Sequence, residues 1–211
     1  MGTDQVSICN MAFGLLGDLG KVKRLTAFTR VGCGNNPVHH AALDFYDTAK
    51  EQMHAMMDWR RARKIKALTM HADPPVVSGL WSYKYVRPPD ALLIRKLIDV
   101  SGTEYEWDQV NEERVANGRT FDDEYLYANA TDLYAWYAIL IGEDRYMPGM
   151  AQLHALVLAD LLAITATGSE RKAMVISDKL HRQMETLCLG LGAQEGFVAN
   201  EGGEHAMTKL F

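Results

Sequence analysis

Cysteine is scarce. Cys9, Cys33 and Cys188 form an odd, widely spaced set without a Cys-x-x-Cys pair, which argues against a disulfide scaffold and for reduced thiols in a cytoplasm. No charged start is followed by an apolar run, and no stretch approaches the roughly 18 unbroken apolar residues of a membrane span. A soluble chain without an export signal is therefore expected. Basic charge is not in excess either: 22 Lys and Arg stand against 27 Asp and Glu, a net charge of -5. That is the wrong sign for a surface that grips nucleic acid all round, although a local basic patch stays open. There is no internal repeat of fixed period. What is present is ordinary: 211 residues, 48% apolar and 23% charged, suit one globular domain or two small ones. A chain this long buries roughly 70% of its unfolded surface, enough for a core without disulfides or metal.

Periodicity predicts a first helix over 3–19, with Thr3 as N-cap, apolar Ile8, Met11, Ala12, Leu15, Leu16 and Leu19, and an ending at Gly17 and Gly20. The stretch 21–36, with its Gly-Cys-Gly-Asn-Asn cluster, reads as a loop. Asn36 caps a second helix opened by Pro37, whose core stripe is Val38, Ala42, Phe45, Ala49, Met53 and Met56. His40, Asp44, Asp47, Glu51, His54 and Asp58 face water on the other side. Breakers at 73–75, Ser78-Gly79, Pro88-Pro89, Ser101-Gly102 and Asn117-Gly118 then punctuate strand-like runs at 83–86, 92–100 and 131–140. Pro148 opens a third helix, apolar on nearly every side, which Gly168 stops near Thr167 and which is expected to be central. Ser169 caps a fourth helix lined by Ala173, Ile176, Leu180, Met184 and Leu187. The expected fold is α+β: a four-helix bundle from residues 1–58 and 146–190, a small antiparallel β region inserted at 59–145, and an extended arm at 191–211.

Standard catalytic signatures are missing. Gly14–Val22 lacks the glycine spacing and the magnesium-binding hydroxyl of a phosphate loop. In Gly32-x-Gly34, Pro37 stands where a dinucleotide fingerprint needs its third glycine. There is no Gly-x-Ser-x-Gly elbow, no His-Glu-x-x-His helix and no cysteine–histidine ligand spacing. The Asn129-Ala130-Thr131 sequon has no export signal beside it. Glu51-x-x-His54 and Asp178-x-x-His181 resemble the pairs with which helical bundles hold two metals, but both lie off the apolar stripes and are expected to face water. His154 and Asp160, on the apolar third helix, are expected to be buried with polar partners. The basic cluster Arg60, Arg61, Arg63, Lys64 and Lys66 has three readings: an edge strand protected by charge, one side of a subunit interface with an acidic neighbour, or a phosphate-contacting patch. The tyrosines and tryptophans between 81 and 137 suit a sheet core or a protein contact.

Ala12-Phe13-Gly14-Leu15-Leu16-Gly17, the helix from Ala42-Leu43-Asp44-Phe45-Tyr46-Asp47 to Met56-Met57-Asp58-Trp59, Tyr83-x-Tyr85-x-x-Pro88-x-Asp90, and Met147-Pro148 opening a helix that closes at Thr167-Gly168 occur in this order. Together they resemble the tail tubular protein A, or head-to-tail adaptor, family of short-tailed bacteriophages over most of residues 4–190. Arg61 departs from the aromatic usual two residues after the tryptophan, and Arg87 from the apolar residue before the prolines. The resemblance implies a structural, non-enzymatic protein of the virion tail, made in the host cytoplasm and needing no cofactor. It would form a homo-oligomeric, dodecameric ring beneath the portal protein, pass DNA without sequence-specific binding, avoid membranes, and offer its lower face to the nozzle or next tail component. On this reading the arm would dock on the portal through Phe197, Val198, Leu210 and Phe211, and the basic cluster would supply subunit or tail contacts. The alternative is a nucleic-acid-binding regulatory protein that uses Arg60 to Lys66; a metal-bundle oxidase would rest on the two carboxylate-x-x-His pairs.

Overall fold

The computed structural model describes residues 4–16, 24–31, 35–76, 79–116 and 119–195. Their elements are α1 (Gln5–Leu16), α2 (Pro37–Met56), a 3-10 turn (Arg60–Ala62), β1 (Arg63–Ala67), β2 (Thr69–Met70), β3 (Tyr83–Val86), β4 (Leu93–Ile98), β5 (Glu104–Tyr105), β6 (Trp107–Ala116), β7 (Arg119–Ala128), β8 (Tyr134–Ala138), a second 3-10 turn (Glu143–Arg145), α3 (Pro148–Thr167) and α4 (Glu170–Glu195). They form two units: the described residues up to Arg61 together with those from Leu140 onward, and the segment Ala62–Ile139.

In the helical unit the caps follow local chemistry. The Asp4 carboxylate accepts the Ser7 N–H at 2.7 Å and the Asp4 carbonyl accepts that of Ile8, so Asp4 caps α1; the expected cap, Thr3, lies outside the described residues, as do Gly17 and Gly20. The Asn36 side chain accepts the Val38 N–H at 2.9 Å, with Pro37 supplying a first-turn residue that has no N–H to satisfy. Gly168 closes α3 at φ 60°, its N–H bonded to the Ile164 carbonyl at 2.9 Å, a backbone shape that a Cβ disfavours. Past Gly190, α4 continues to Glu195, so the first five residues read as arm are helical; Phe197, Val198, Leu210 and Phe211 lie outside the described residues.

The helices do not make the expected four-helix bundle. α1, α2 and α4 each pack chiefly on α3 and little on one another. The reason lies in α3, where Met150, Leu153, Leu156, Leu158 and Leu162 are all fully or nearly fully buried. A helix apolar on every side takes the centre, while its one-faced partners arrange around it. By length and composition Gly149–Thr167 would also pass for a membrane span, with 61% of that window buried inside the protein. Gly149 lets α4 come close, because a Cβ there would meet Leu191 Cδ2 at 2.5 Å. On α2 the buried side keeps Val38, Ala42, Ala49 and Met53 of the expected stripe but also takes in His39, Tyr46 and His54, while Phe45 is 37% exposed and Met56 is only half-buried.

The β segment is not a small insertion. Its strands make two antiparallel four-stranded sheets, the first ordered β1-β8-β4-β5 and the second β2-β3-β7-β6. Tyr85, Ile94, Leu97, Leu126, Leu133, Ala135 and Tyr137 of both sheets share one core. The period of two supplies the inner residues: Ala135 and Tyr137 point in from β8, and Leu126 and Ala128 from β7. Sequence reading undercounted the strands because β6, Trp-Asp-Gln-Val-Asn-Glu-Glu-Arg-Val-Ala, carries Asp, Asn and Glu that strands disfavour. Its ten-pair ladder with β7 runs from Trp107–Ala128 to Ala116–Arg119; the Asn117-Gly118 turn signal lies outside the described residues.

Candidate functional site

The basic cluster is divided by local structure. Arg60 and Arg61 lie in the 3-10 turn, where the Arg61 guanidinium donates to the Arg145 carbonyl at 3.2 Å. Arg63, Lys64 and Lys66 lie on β1, an edge of the first sheet. Alternation sends them to different faces. Lys64 donates to Asp90 Oδ2 at 2.6 Å, and the Tyr137 hydroxyl donates to Asp90 Oδ1 at 3.0 Å. The Lys64 ammonium holds the Asp90 carboxyl below its ordinary range, while burial and Asp90 push the Tyr137 phenol up to about 12. Arg63, on the other face, lies 4.4 Å from the centre of the Trp136 ring, and Lys96 of β4 lies 5.1 Å from it. Sequence reading had no aromatic residue interleaved with the cations. Trp136 is 73 positions from Arg63, and only the β1–β8 register brings it there.

The two carboxylate-x-x-His pairs are not assembled. Glu51 is exposed, but His54, expected at the surface, is fully buried. Its Nδ1–H donates to the Lys50 carbonyl at 2.7 Å and its Nε2 accepts the Ile141 N–H at 3.5 Å. Burial pushes its pKa down. Asp178 is exposed, and His181 instead approaches Asp160 of α3 at 3.5 Å. Among the described residues no group of three His, Cys, Asp or Glu is placed to hold a metal ion.

His154 has the polar partners expected for a buried histidine. Its Nε2–H donates to the Tyr46 carbonyl at 3.2 Å, and its Nδ1 accepts the Tyr146 hydroxyl at 3.4 Å. Burial lowers its pKa to about 4, so the ring is neutral. Beside it, Tyr46 and Lys50 both donate to Glu143 Oε1, at 3.2 and 3.0 Å. Burial, the largest influence, would raise the Glu143 carboxyl, but the Lys50 ammonium together with backbone and Tyr46 hydrogen bonds outweighs it and holds the carboxyl below its ordinary range. This satisfied polar core ties α2, α3 and the Glu143 turn together.

The second sheet holds its own ion pair. Lys84, 4% exposed, donates to Glu112 Oε2 at 2.6 Å and lies 3.7 Å from the centre of the Tyr125 ring. The Tyr127 hydroxyl donates to the other Glu112 oxygen. Lys84 falls in the strand-like run expected at 83–86 and Tyr125 and Tyr127 among the tyrosines expected in a sheet core or protein contact, whereas Glu112 lies on β6, a strand that the sequence did not suggest. In the helical unit, α1, α3 and α4 border an open cleft of about 880 Å³ whose lining includes Leu15, Leu156, Val175, Arg182, Leu187 and Leu191. No family model matches the sequence, and no curated protein matches it.

Proposed function

We propose that the protein is a head-to-tail adaptor: a structural ring component that binds beneath a phage portal, continues the DNA channel and carries the next tail component. The observation that carries this reading is the work done by the residues on which the resemblance rests. Trp59 ends the second motif, and its indole N–H donates to the Met53 carbonyl at 3.0 Å with the ring 1% exposed. In Tyr83-x-Tyr85-x-x-Pro88-x-Asp90, the Tyr85 hydroxyl donates to the Ala130 carbonyl at 2.5 Å and Asp90 joins Lys64 to Tyr137. Met147-Pro148 opens the central helix and Gly168 closes it. The motifs therefore fall on the caps and anchors of the fold, where a shared architecture would require them. Net acidity suits a conduit that passes DNA, since each cation in the bore would add a phosphate contact. The ring, the portal and the arm residues Phe197, Val198, Leu210 and Phe211 belong to this proposal.

Light scattering after size-exclusion chromatography, with the protein alone and mixed with the portal protein of the same genome, tests the reading. Joining the portal in stoichiometric numbers is the expected result; indifference to the portal overturns it. The nucleic-acid-binding alternative draws on one observation, the Arg63–Trp136–Lys96 stack. It is the weaker reading, because two cations of the chain already lie over the indole and Lys64 is bonded to Asp90. Salt-dependent DNA retention would favour it.

A further inference from the structure

The aromatic rings of the β segment are not all taken up by the chain itself. Trp136 has Arg63 and Lys96 over its ring, and Tyr125 has Lys84. Among the described residues no cation lies over Trp81 or Trp107, and neither indole N–H has a hydrogen-bond partner. Both rings are half-buried. Together with Tyr105, Glu104 and Glu106 they line one pocket of about 440 Å³, which lies wholly within the Ala62–Ile139 unit. Indoles that keep a wet side and an unused donor are typical of contact surfaces, where an apolar body and a polar edge serve together.

Two chain segments build this pocket, and each is held from behind. Trp81 stands just before β3, and Asn129 clamps the backbone on either side of it: Asn129 Oδ1 accepts the Ser82 N–H at 2.8 Å, and its Nδ2–H donates to the Leu80 carbonyl at 3.1 Å. Residues 104–107 carry the chain from β5 of the first sheet to β6 of the second, with Glu106 in neither strand. The Tyr105 hydroxyl donates to Asp99 Oδ2 at 3.1 Å. Rings fixed in this way need little ordering when a ligand arrives. β5 and β6 each stand last in their sheet, so among the described residues both lack a strand partner on their outer side.

The lining is aromatic and acidic. Ring faces present the negative side of a quadrupole, and Glu104 and Glu106 are exposed. Lys96 already meets Glu104 at 3.4 Å, whereas among the described residues no cation meets Glu106. This combination selects a cation. A guanidinium suits it better than a quaternary ammonium, because its plane stacks on an indole while its N–H groups bond a carboxylate. We propose that the pocket takes an arginine side chain of a partner protein, presented by an extended segment that runs along the open edge beside 104–107. The inference goes beyond the adaptor reading and stands on its own observations.

The indole N–H signals of the four tryptophans in the full-length protein, followed by proton–nitrogen NMR and assigned by single Trp→Phe replacements, read the site directly. The probes are a pentapeptide with a central arginine flanked by serine and glycine, the same peptide with citrulline in place of arginine, arginine amide, and choline. The arginine peptide is expected to shift the Trp81 and Trp107 signals saturably, more weakly at high salt, and to leave that of Trp59, 1% exposed, in place. The citrulline peptide, which keeps the shape and loses the charge, should bind about fivefold more weakly or less. Trp81→Leu keeps apolar bulk without the ring and Glu106→Gln, at an exposed position, removes only charge; each should weaken the arginine peptide about fivefold, with circular dichroism confirming the fold. Unmoved Trp81 and Trp107 signals, equal binding of the citrulline peptide, or folded variants that bind like the wild type overturn the cation site. Choline binding as tightly as the arginine peptide overturns the choice of guanidinium, and arginine amide doing so overturns the partner protein in favour of a free small molecule. The portal protein is absent from this titration, so its failure leaves the adaptor reading standing, and failure to join the portal leaves the arginine site standing.

Discussion

At His154 a neutral ring is held by two neutral partners, the Tyr46 carbonyl and the Tyr146 hydroxyl, and acid threatens that arrangement. With a folded pKa of about 4 against an ordinary 6.5, the unfolded chain takes up the proton first. The contribution of His154 is therefore complete above about pH 6.5 and is lost as the pH falls toward 4. At about 1.4 kcal/mol per unit this amounts to as much as about 3 kcal/mol. His54 is shifted in the same direction, and the lowered Glu143 carboxyl likewise loses its contribution as pH falls. The urea midpoint should drop between pH 7 and pH 5. His154→Gln should lower stability at pH 7 by about 1–2 kcal/mol, through weaker hydrogen bonding, and flatten that drop; an unchanged pH profile would count against the assignment. The burial of His154 was legible in the sequence, because a histidine on a helix apolar all round has nowhere else to go. That of His54 was not: the buried side of α2 extends past its apolar stripe to take in Tyr46 and His54, which depends on what α3 presents.

Among the elements, helix ends were the most legible features and sheets the least. Pro37, Pro148 and Gly168 mark boundaries through covalent geometry, which acts whatever surrounds it. Gly168→Ala should cost about 1 kcal/mol, because φ 60° opposes a Cβ even with open space around it. Thermal unfolding reads this directly, and a neutral outcome would show that the terminus relaxes into another cap. The β6–β7 ribbon gives the opposite case. Its composition opposes a strand, and it forms because ten ladder pairs and the Lys84–Glu112–Tyr127 cluster on its inner half hold it. Beyond that half Glu113 stands directly opposite Asp122, and like charges so placed destabilise a ladder. Asp122→Lys would place opposite charges across from each other and should stabilise the isolated protein by about 0.5 kcal/mol. A lower melting temperature in that variant would refute the repulsion inferred for the Glu113–Asp122 pair.

On the scale of the whole molecule, the functional proposal assigns portal capture to the segment that follows α4. On that proposal, deleting residues 196–211 should leave the melting temperature within about 1 °C, since the proposed arm packs on the portal and not on its own chain. It should abolish capture by the portal protein; retained capture would place the portal contact elsewhere. The sequence by itself determined the α+β class, the helix-opening and helix-closing residues and the central character of α3, because these depend on backbone chemistry and on polarity repeated over short distances. Only the tertiary structure decided that three helices pack around α3 without closing a bundle, that the middle of the chain makes two sheets, and that Trp136 lies between Arg63 and Lys96. Each of those outcomes is a pairing between residues far apart in the chain, fixed by register and by competition for one buried surface, and local pattern does not encode either.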